Sequence, residues 1–226
     1  LTTAFPQILF ESCASGGGRF DPGMLYYAPQ GWISDDTDAA ERVRIQYGTS
    51  MCYPISSMGS HVSVVPNHQL NRITSLHTRA NVAYFGTFGY ELDLNKLTDE
   101  EIAEVKAQII FMKEYRELIQ FGNFYRLKSP FDGNETVWMT VSEDKRKALV
   151  FWYRERNVVN AEFTRVRLQG LDPDLIYKNE YNGTENYGDE LMNLGLLTTD
   201  VTAGEPTNED LPCTDYESRI YVLTAE

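Results

Sequence analysis

Residues 31–48 read GWISDDTDAAERVRIQYG, and the change of character within this stretch decides the fold. Asp38 followed by Glu41 marks a helix start, where one side chain accepts from free backbone N–H groups and the other reaches back. Apolar residues at 40, 43 and 47 share one face, and Gly48 closes the stretch, so it predicts a short capped helix. Upstream, residues 8–10 (ILF) form a compact apolar run that ends at Glu11, Ser12 and Cys13 and reads as a buried strand. Downstream, residues 61–65 (HVSVV) read as a second strand, stopped by Pro66. A longer helix is predicted over 98–120. Thr98 and Glu101 make a capping box, apolar residues fall at 102, 105, 109, 112 and 119, and Gly122 stands at C′. Strands alternating with helices predict a parallel α/β arrangement over residues 1–122.

Past residue 122 the period switches to two. Residues 136–141, 148–153, 163–168, 175–177 and 219–224 read as strands, punctuated by Asp132 and Gly133, Gly170, Asp172 and Pro173, and Asn182 and Gly183. Residues 123–226 therefore predict an antiparallel β-sandwich. The stretch 199–210 is acidic and Thr-rich, a solvated loop, and no internal repeat is present.

Length and composition fit this division. The chain has 226 residues, 42% hydrophobic and 23% charged, which is globular and allows one large domain or two modest ones. Its net charge of −13 repels phosphate backbones and anionic lipid, so neither nucleic acid nor a membrane is an expected partner. No apolar run approaches the length of a membrane span. Cys13, Cys52 and Cys213 have no metal-ligand spacing and no disulfide framework, which favours a reducing, cytoplasmic setting. The opening LTTAFPQILF has no initiator Met, basic segment or sustained apolar segment, so it is not a signal peptide and is expected to be a piece of a longer polypeptide.

The chemistry concentrates in the first 70 residues. In ESCASGGGRFDPG (11–23), three glycines after a strand let a backbone approach closely or adopt φ > 0. A phosphate loop is rejected, because no Lys-Ser/Thr pair follows and the GxGxxG spacing is absent. A tight turn competes with a ligand cradle made of backbone amides and Cys13. In GWISDDTD (31–38), Asp35, Asp36 and Asp38 crowd together beside Trp32. Helix capping accounts for Asp38 and leaves Asp35 unexplained. An aromatic beside clustered carboxylates suits sugar hydrolysis, where the ring covers apolar C–H faces and a carboxyl protonates the leaving oxygen. Burial and like-charged neighbours keep such a carboxyl protonated.

ILFESCASGGGRFDPGMLYYAPQ, WISDDTDAAERVRIQYGTSMCYP and PISSMGSHVSVVPNHQ closely resemble the bacterial α-galactosidases of glycoside hydrolase family 36, over residues 5 to 125. The resemblance implies a metal-independent, cofactor-free retaining hydrolase that removes terminal α-1,6-linked galactose from melibiose, raffinose or stachyose. It further implies a large N-terminal β-domain, a (β/α)8 barrel, a C-terminal β-sandwich and a cytoplasmic homotetramer. Carried over, Asp35 matches the general acid/base, with Asp36 and Asp38 as runners-up. Cys13 and Gly16 match residues lining the galactose subsite, and Trp32 lies near the same pocket. Residues 1–122 would then supply barrel strands five to eight, with Cys13 ending the fifth and Asp35 the sixth, on the face where barrel active sites are built. The family's nucleophile sits in a Lys-Trp-Asp-type motif that these 226 residues do not contain. The resemblance therefore implies the C-terminal portion of an α-galactosidase, inactive by itself, with an open strand edge for the missing N-terminal part. A non-catalytic galactose-binding piece, a purely structural piece and a galactosyl transferase stay open beside it.

Other residues have plainer readings. His61, His68 and His77 lack metal spacing and read as structural or rim residues. Arg19 and Asp21 are expected to brace the glycine loop. Tyr26, Tyr27 and Tyr47 read as core or interface aromatics, Cys52 as a buried apolar residue, and the sequons at Asn134 and Asn182 as turns.

Overall fold

The computed structural model of the protein describes residues 1–13, 21–158, 163–198 and 215–225. They fall into two units, Leu1–Gln120 and Phe121–Glu226. In the first, β1 (Glu11–Ser12), β2 (Gln30–Gly31), β3 (Gly59–Ser63) and β4 (Thr87–Glu91) alternate with α1 (Pro22–Leu25), α2 (Ala39–Thr49) and α3 (Leu76–Ala83), and α4 (Asp99–Phe121) follows β4. β1 pairs parallel to β2 and β3 parallel to β4, and a parallel bridge between Gly31 and Met58 joins the two pairs. Four parallel strands returning through helices are the repeat of a (β/α) barrel.

The cap signals place the helices. The Asp38 carboxylate accepts from the N–H groups of Ala40 and Glu41 and starts α2. Thr98 and Glu101 exchange side-chain and backbone hydrogen bonds at 2.9 and 3.2 Å ahead of α4, the expected capping box. α4 buries Val105, Gln108, Met112, Tyr115, Leu118 and Ile119 along one stripe. Gln108 joins it to the sheet region: its side chain accepts from the Tyr90 hydroxyl at 2.8 Å, and its backbone carbonyl lies 3.4 Å from the Tyr84 hydroxyl.

Burial pushes both phenols well above the ordinary tyrosine value of about 10. The stability they lend is complete below that value, where neither state ionises. It fades as pH rises beyond it, because the unfolded chain then releases protons that the fold retains. The urea midpoint of the first unit is therefore expected to fall as pH rises above about 10. It should fall less steeply in the Tyr84→Phe, Tyr90→Phe double variant; equal slopes would contradict the assignment.

Several expectations are corrected. Residues 8–10 are not a strand: the strand is Glu11–Ser12, and Ile8 and Leu9 are 50% and 85% exposed. Only two residues of β1 pair with β2, and among the described residues no strand lies on its other edge, so nothing covers the apolar run. The strand expected at 61–65 runs Gly59–Ser63, with Val64 already exposed. Gly122 follows α4 without a positive φ, so no left-handed cap forms there. Cys52, in the turn after α2, is exposed rather than buried. Tyr47 is buried, whereas Tyr26 and Tyr27 are exposed and meet edge-on at 5.0 Å. Asp21 caps α1 through the Met24 N–H; Arg19, Cys213 and the loop 199–210 lie outside the described residues.

The second unit is a six-stranded antiparallel sheet of β5 (Asn123–Lys128), β6 (Glu135–Val141), β7 (Lys147–Arg154), β9 (Ile176–Asn179), β10 (Glu185–Tyr187) and β12 (Glu217–Ala225), in the order β10-β9-β12-β7-β6-β5. A two-stranded ribbon of β8 (Arg165–Val166) and β11 (Leu196–Leu197) and a short helix, α5 (Gly188–Asn193), complete it. The expected strand at 163–168 shrinks to two residues. Alternation explains the core: Val137, Met139 and Val141, with Ala148, Val150 and Trp152 and with Tyr221 and Leu223, share one sheet face and pack against Val166, Leu168, Leu171 and Leu196. This is the sandwich arrangement. Gly170, at φ +76°, turns the chain in the left-handed region that favours glycine, and a Cβ there would press on the Tyr125 ring and force it to move.

Candidate active site

The C-terminal ends of the parallel strands deliver Cys13, the segment from Trp32 to Asp38, Ser63 and Glu91 to one side of the first unit. The Trp32 N–H donates to the Ser12 carbonyl at 2.8 Å, which continues the pairing of β1 and β2 into the loop that carries the acidic cluster.

Within that loop the carboxylates are not equivalent. Asp38 is buried, caps α2 and ion-pairs with Arg72, which also reaches Glu41 at 3.3 Å. Asp36 accepts from the Asp38 N–H at 3.0 Å, and its own N–H donates to the Ser34 hydroxyl at 3.1 Å. Thr37 is held by the Asn67 side chain at 3.2 Å. Asp35 alone of the three is exposed, and among the described residues its carboxylate makes no hydrogen bond. Local structure thus uses the two runners-up and leaves the first Asp free.

Trp32 is half-buried. Its indole stacks on His61 with ring centres 4.7 Å apart and planes 28° apart, and the Arg42 guanidinium lies 4.8 Å over the ring. A Cβ on Gly59 would sit 2.9 Å from Trp32 Cε3, so the indole rests where β3 carries no side chain. Gly59→Ala is expected to displace the ring and cost about 1–3 kcal/mol, read by the melting temperature with the near-ultraviolet circular dichroism of tryptophan. An unchanged dichroism band would show that the indole does not depend on this gap.

Sequence reasoning missed Arg42. Its guanidinium is buried, donating from Nη1 to the Ser34 carbonyl at 3.3 Å, from Nη2 to the Gly59 carbonyl and from Nε to Gln46 Oε1 at 3.4 Å. Gln46 in turn binds the carbonyls of Val82 and Phe85, and the Ser60 hydroxyl donates to it. Burial pulls the Arg42 pKa down to about 10, against the opposing charges of Asp36 and Glu91. The available signal was an arginine at position 42 beside the apolar stripe of α2, where a solvated face would usually be assumed.

His61 Nδ1 is buried, 3.5 Å from a Glu91 oxygen, while His68 and His77 are exposed. Cys13 presents an exposed thiol at the end of β1, and Gly16 lies outside the described residues. Among the described residues no three His, Cys, Asp or Glu side chains converge as metal ligands, and no helix is long and apolar enough to cross a membrane. Cavities of about 580, 460 and 400 Å³ are lined by other residues. The strand-end carboxylate is therefore the better guide to the chemistry than cavity size.

The Melibiase family model matches residues 1–122, and the Glycosyl hydrolase family 36 C-terminal domain matches residues 135–223. The chain is 57% identical over 196 residues to alpha-galactosidase AgaA of Geobacillus stearothermophilus, covering 87% of this chain and 27% of that protein. It is 50% identical to the bifunctional alpha-galactosidase/sucrose kinase AgaSK of Mediterraneibacter gnavus, again over 87% of this chain but 21% of that one. The crystal structure of AgaA superposes with a TM-score of 0.91 at 52% identity, over 100% of this chain and 30% of that one. The α-galactosidase from Lactobacillus brevis gives 0.91 at 51%. Variants of AgaA have been solved with raffinose and with stachyose. The chain spans less than a third of the length of these relatives, and its parallel strands correspond to the C-terminal half of a (β/α)8 barrel followed by the β-sandwich.

Proposed function

This chain belongs to the melibiase family, and from that premise we propose that it carries the proton-transfer half of a retaining α-galactosidase centre. The freedom of Asp35 carries the reading: it is the exposed carboxylate at a strand end, while Asp36 and Asp38 are engaged in building the loop. Residues 1–122 supply barrel strands five to eight and residues 123–226 the sandwich. The substrate class is terminal α-1,6-linked galactose in melibiose- and raffinose-type sugars.

A retaining mechanism needs two carboxyl groups about 5–5.5 Å apart. Asp35 gives its proton to the glycosidic oxygen as the bond breaks, while a carboxylate on polypeptide outside these 226 residues forms the glycosyl ester. Asp35, now ionised, then takes a proton from the water that opens the ester. Cys13 and Gly16 line the galactose subsite. Trp32, tied to His61 and Arg42, borders it and sets the course of the loop. No metal or cofactor is required. The chain alone binds without turnover, and the complete enzyme acts as a cytoplasmic homotetramer.

Equilibrium binding tests this. The chain is expected to bind galactose and to leave a nitrophenyl α-galactoside intact, and Cys13→Ala should weaken binding about 3–10-fold. Hydrolysis by the purified chain would overturn the assignment of the nucleophile to other polypeptide. Binding unchanged in Cys13→Ala would remove Cys13 from the subsite.

A further inference from the structure

The loop that follows β3 is fastened to the loop that carries Asp35. Asn67 and Thr74 are buried within it, while residues 68–71 (HQLN) are exposed. Asn67 organises the turn. Its Oδ1 accepts from the N–H groups of Gln69 and Leu70 at 3.0 and 2.9 Å. Its backbone N–H donates to the Arg72 carbonyl at 2.9 Å, and its own carbonyl accepts from the Asn71 N–H at 2.8 Å. Asn71 completes the turn at φ +55°, a conformation that asparagine adopts more readily than most residues.

Both ends of this turn are clamped beside the acidic cluster. Asn67 Nδ2 donates to Thr37 Oγ1 at 3.2 Å, and Arg72 pairs with Asp38 and reaches Glu41 at 3.3 Å. Thr37 stands two residues after Asp35, at most about 7 Å of extended chain, and Gln69 stands two residues after Asn67. The exposed part of the turn is thus held close to the exposed carboxylate by buried contacts. A general acid stands on the side of the oxygen it protonates, so the group that departs with that oxygen must pass beside Asp35. Residues 68–71 offer imidazole, amide and isobutyl groups, with no Lys, Arg, Asp or Glu among them. A neutral sugar there meets donors, acceptors and an apolar side chain without stripping water from a charge.

We propose that the turn 67–72 is the wall that receives the departing sugar, with His68 and Gln69 binding its hydroxyls and setting a preference for oligosaccharides over simple galactosides. This rests on Asp35 being the acid, and it names what recognises the leaving group at that same site.

His68→Ala with Gln69→Ala, in the complete polypeptide, is expected to lower kcat/KM on raffinose about 10-fold and on a nitrophenyl α-galactoside no more than about 2-fold, because the nitrophenyl group has no hydroxyls to lose. Inhibition by free sucrose, the departing part of raffinose, should weaken by about the same 10-fold, with inhibition by galactose unchanged. General damage to the site would weaken galactose as well. The melting temperature should hold, since the turn is built from backbone groups and the Asn67 side chain. Equal losses on raffinose and the aryl galactoside, or sucrose inhibition that matches the parent, would overturn the proposal. Sucrose inhibition involves no proton transfer, so it can fail while Asp35→Asn still shows leaving-group dependence, and the two assignments are tested apart.

Discussion

Asp35→Asn, placed in the complete polypeptide, is expected to lower turnover of raffinose by about 10²–10⁴-fold, the range that positioned proton transfer contributes. Asparagine keeps the shape of the side chain but cannot exchange a proton. The loss should depend on the leaving group. A sugar alkoxide needs the proton, whereas a nitrophenolate departs without it, so formation of the glycosyl ester from the aryl galactoside should be nearly spared. Ester hydrolysis still needs a base, so the aryl substrate should show a burst followed by a slow steady state. The same substitution at Asp36 should act differently. Asp36 accepts from the Asp38 N–H and faces the buried Arg42 charge, so Asp36→Asn should affect stability before leaving-group dependence. Equal losses of Asp35→Asn on both substrates in the ester-forming step, with no burst from the aryl galactoside, would assign the proton to another group.

Arg42→Met is expected to destabilise the first unit by about 3 kcal/mol in urea unfolding. The substitution removes a desolvated charge, which by itself is favourable. It also strands the carbonyls of Ser34 and Gly59 and frees Gln46 Oε1 from one of its donors. One buried and one partly buried acceptor without donors outweigh the relief of one charge. Arg42→Lys should recover part of the loss, since an ammonium reaches one carbonyl but cannot span both and cover the Trp32 ring. Because Ser34 precedes Asp35 directly, Arg42 is a positioning residue. In the complete polypeptide its variants should lower kcat more than they raise KM, and equal stability of Arg42→Met and the parent would refute the account.

These residues also show how far the sequence could be read. The α/β half and the sandwich were legible because the two long helices carry their own start signals, and strands such as β7 are unbroken runs of aliphatic and aromatic residues, buried on both faces. β2 was not legible, because two residues of polar and glycine character hold no period. β4 (TFGYE) has a glycine at its centre and no full alternation, and α3 has too few turns to show a stripe. The apolar run at 8–10 misled for a physical reason: burial depends on a neighbouring strand, and composition cannot report one. At the site, the sequence showed three carboxylates in a row. Which one stays free depends on where the helix begins and on an arginine 34 residues beyond Asp38, in Arg72.

The position of β12 between β9 and β7 governs the order of assembly. The hairpin of β6 and β7 can form as soon as it is synthesised, but β9 and β10 have no edge to join until residues 217–225 arrive between them. A ribosome must therefore release residues 217–225 before this sheet can close, and a stop codon ahead of residue 217 would leave its two halves apart.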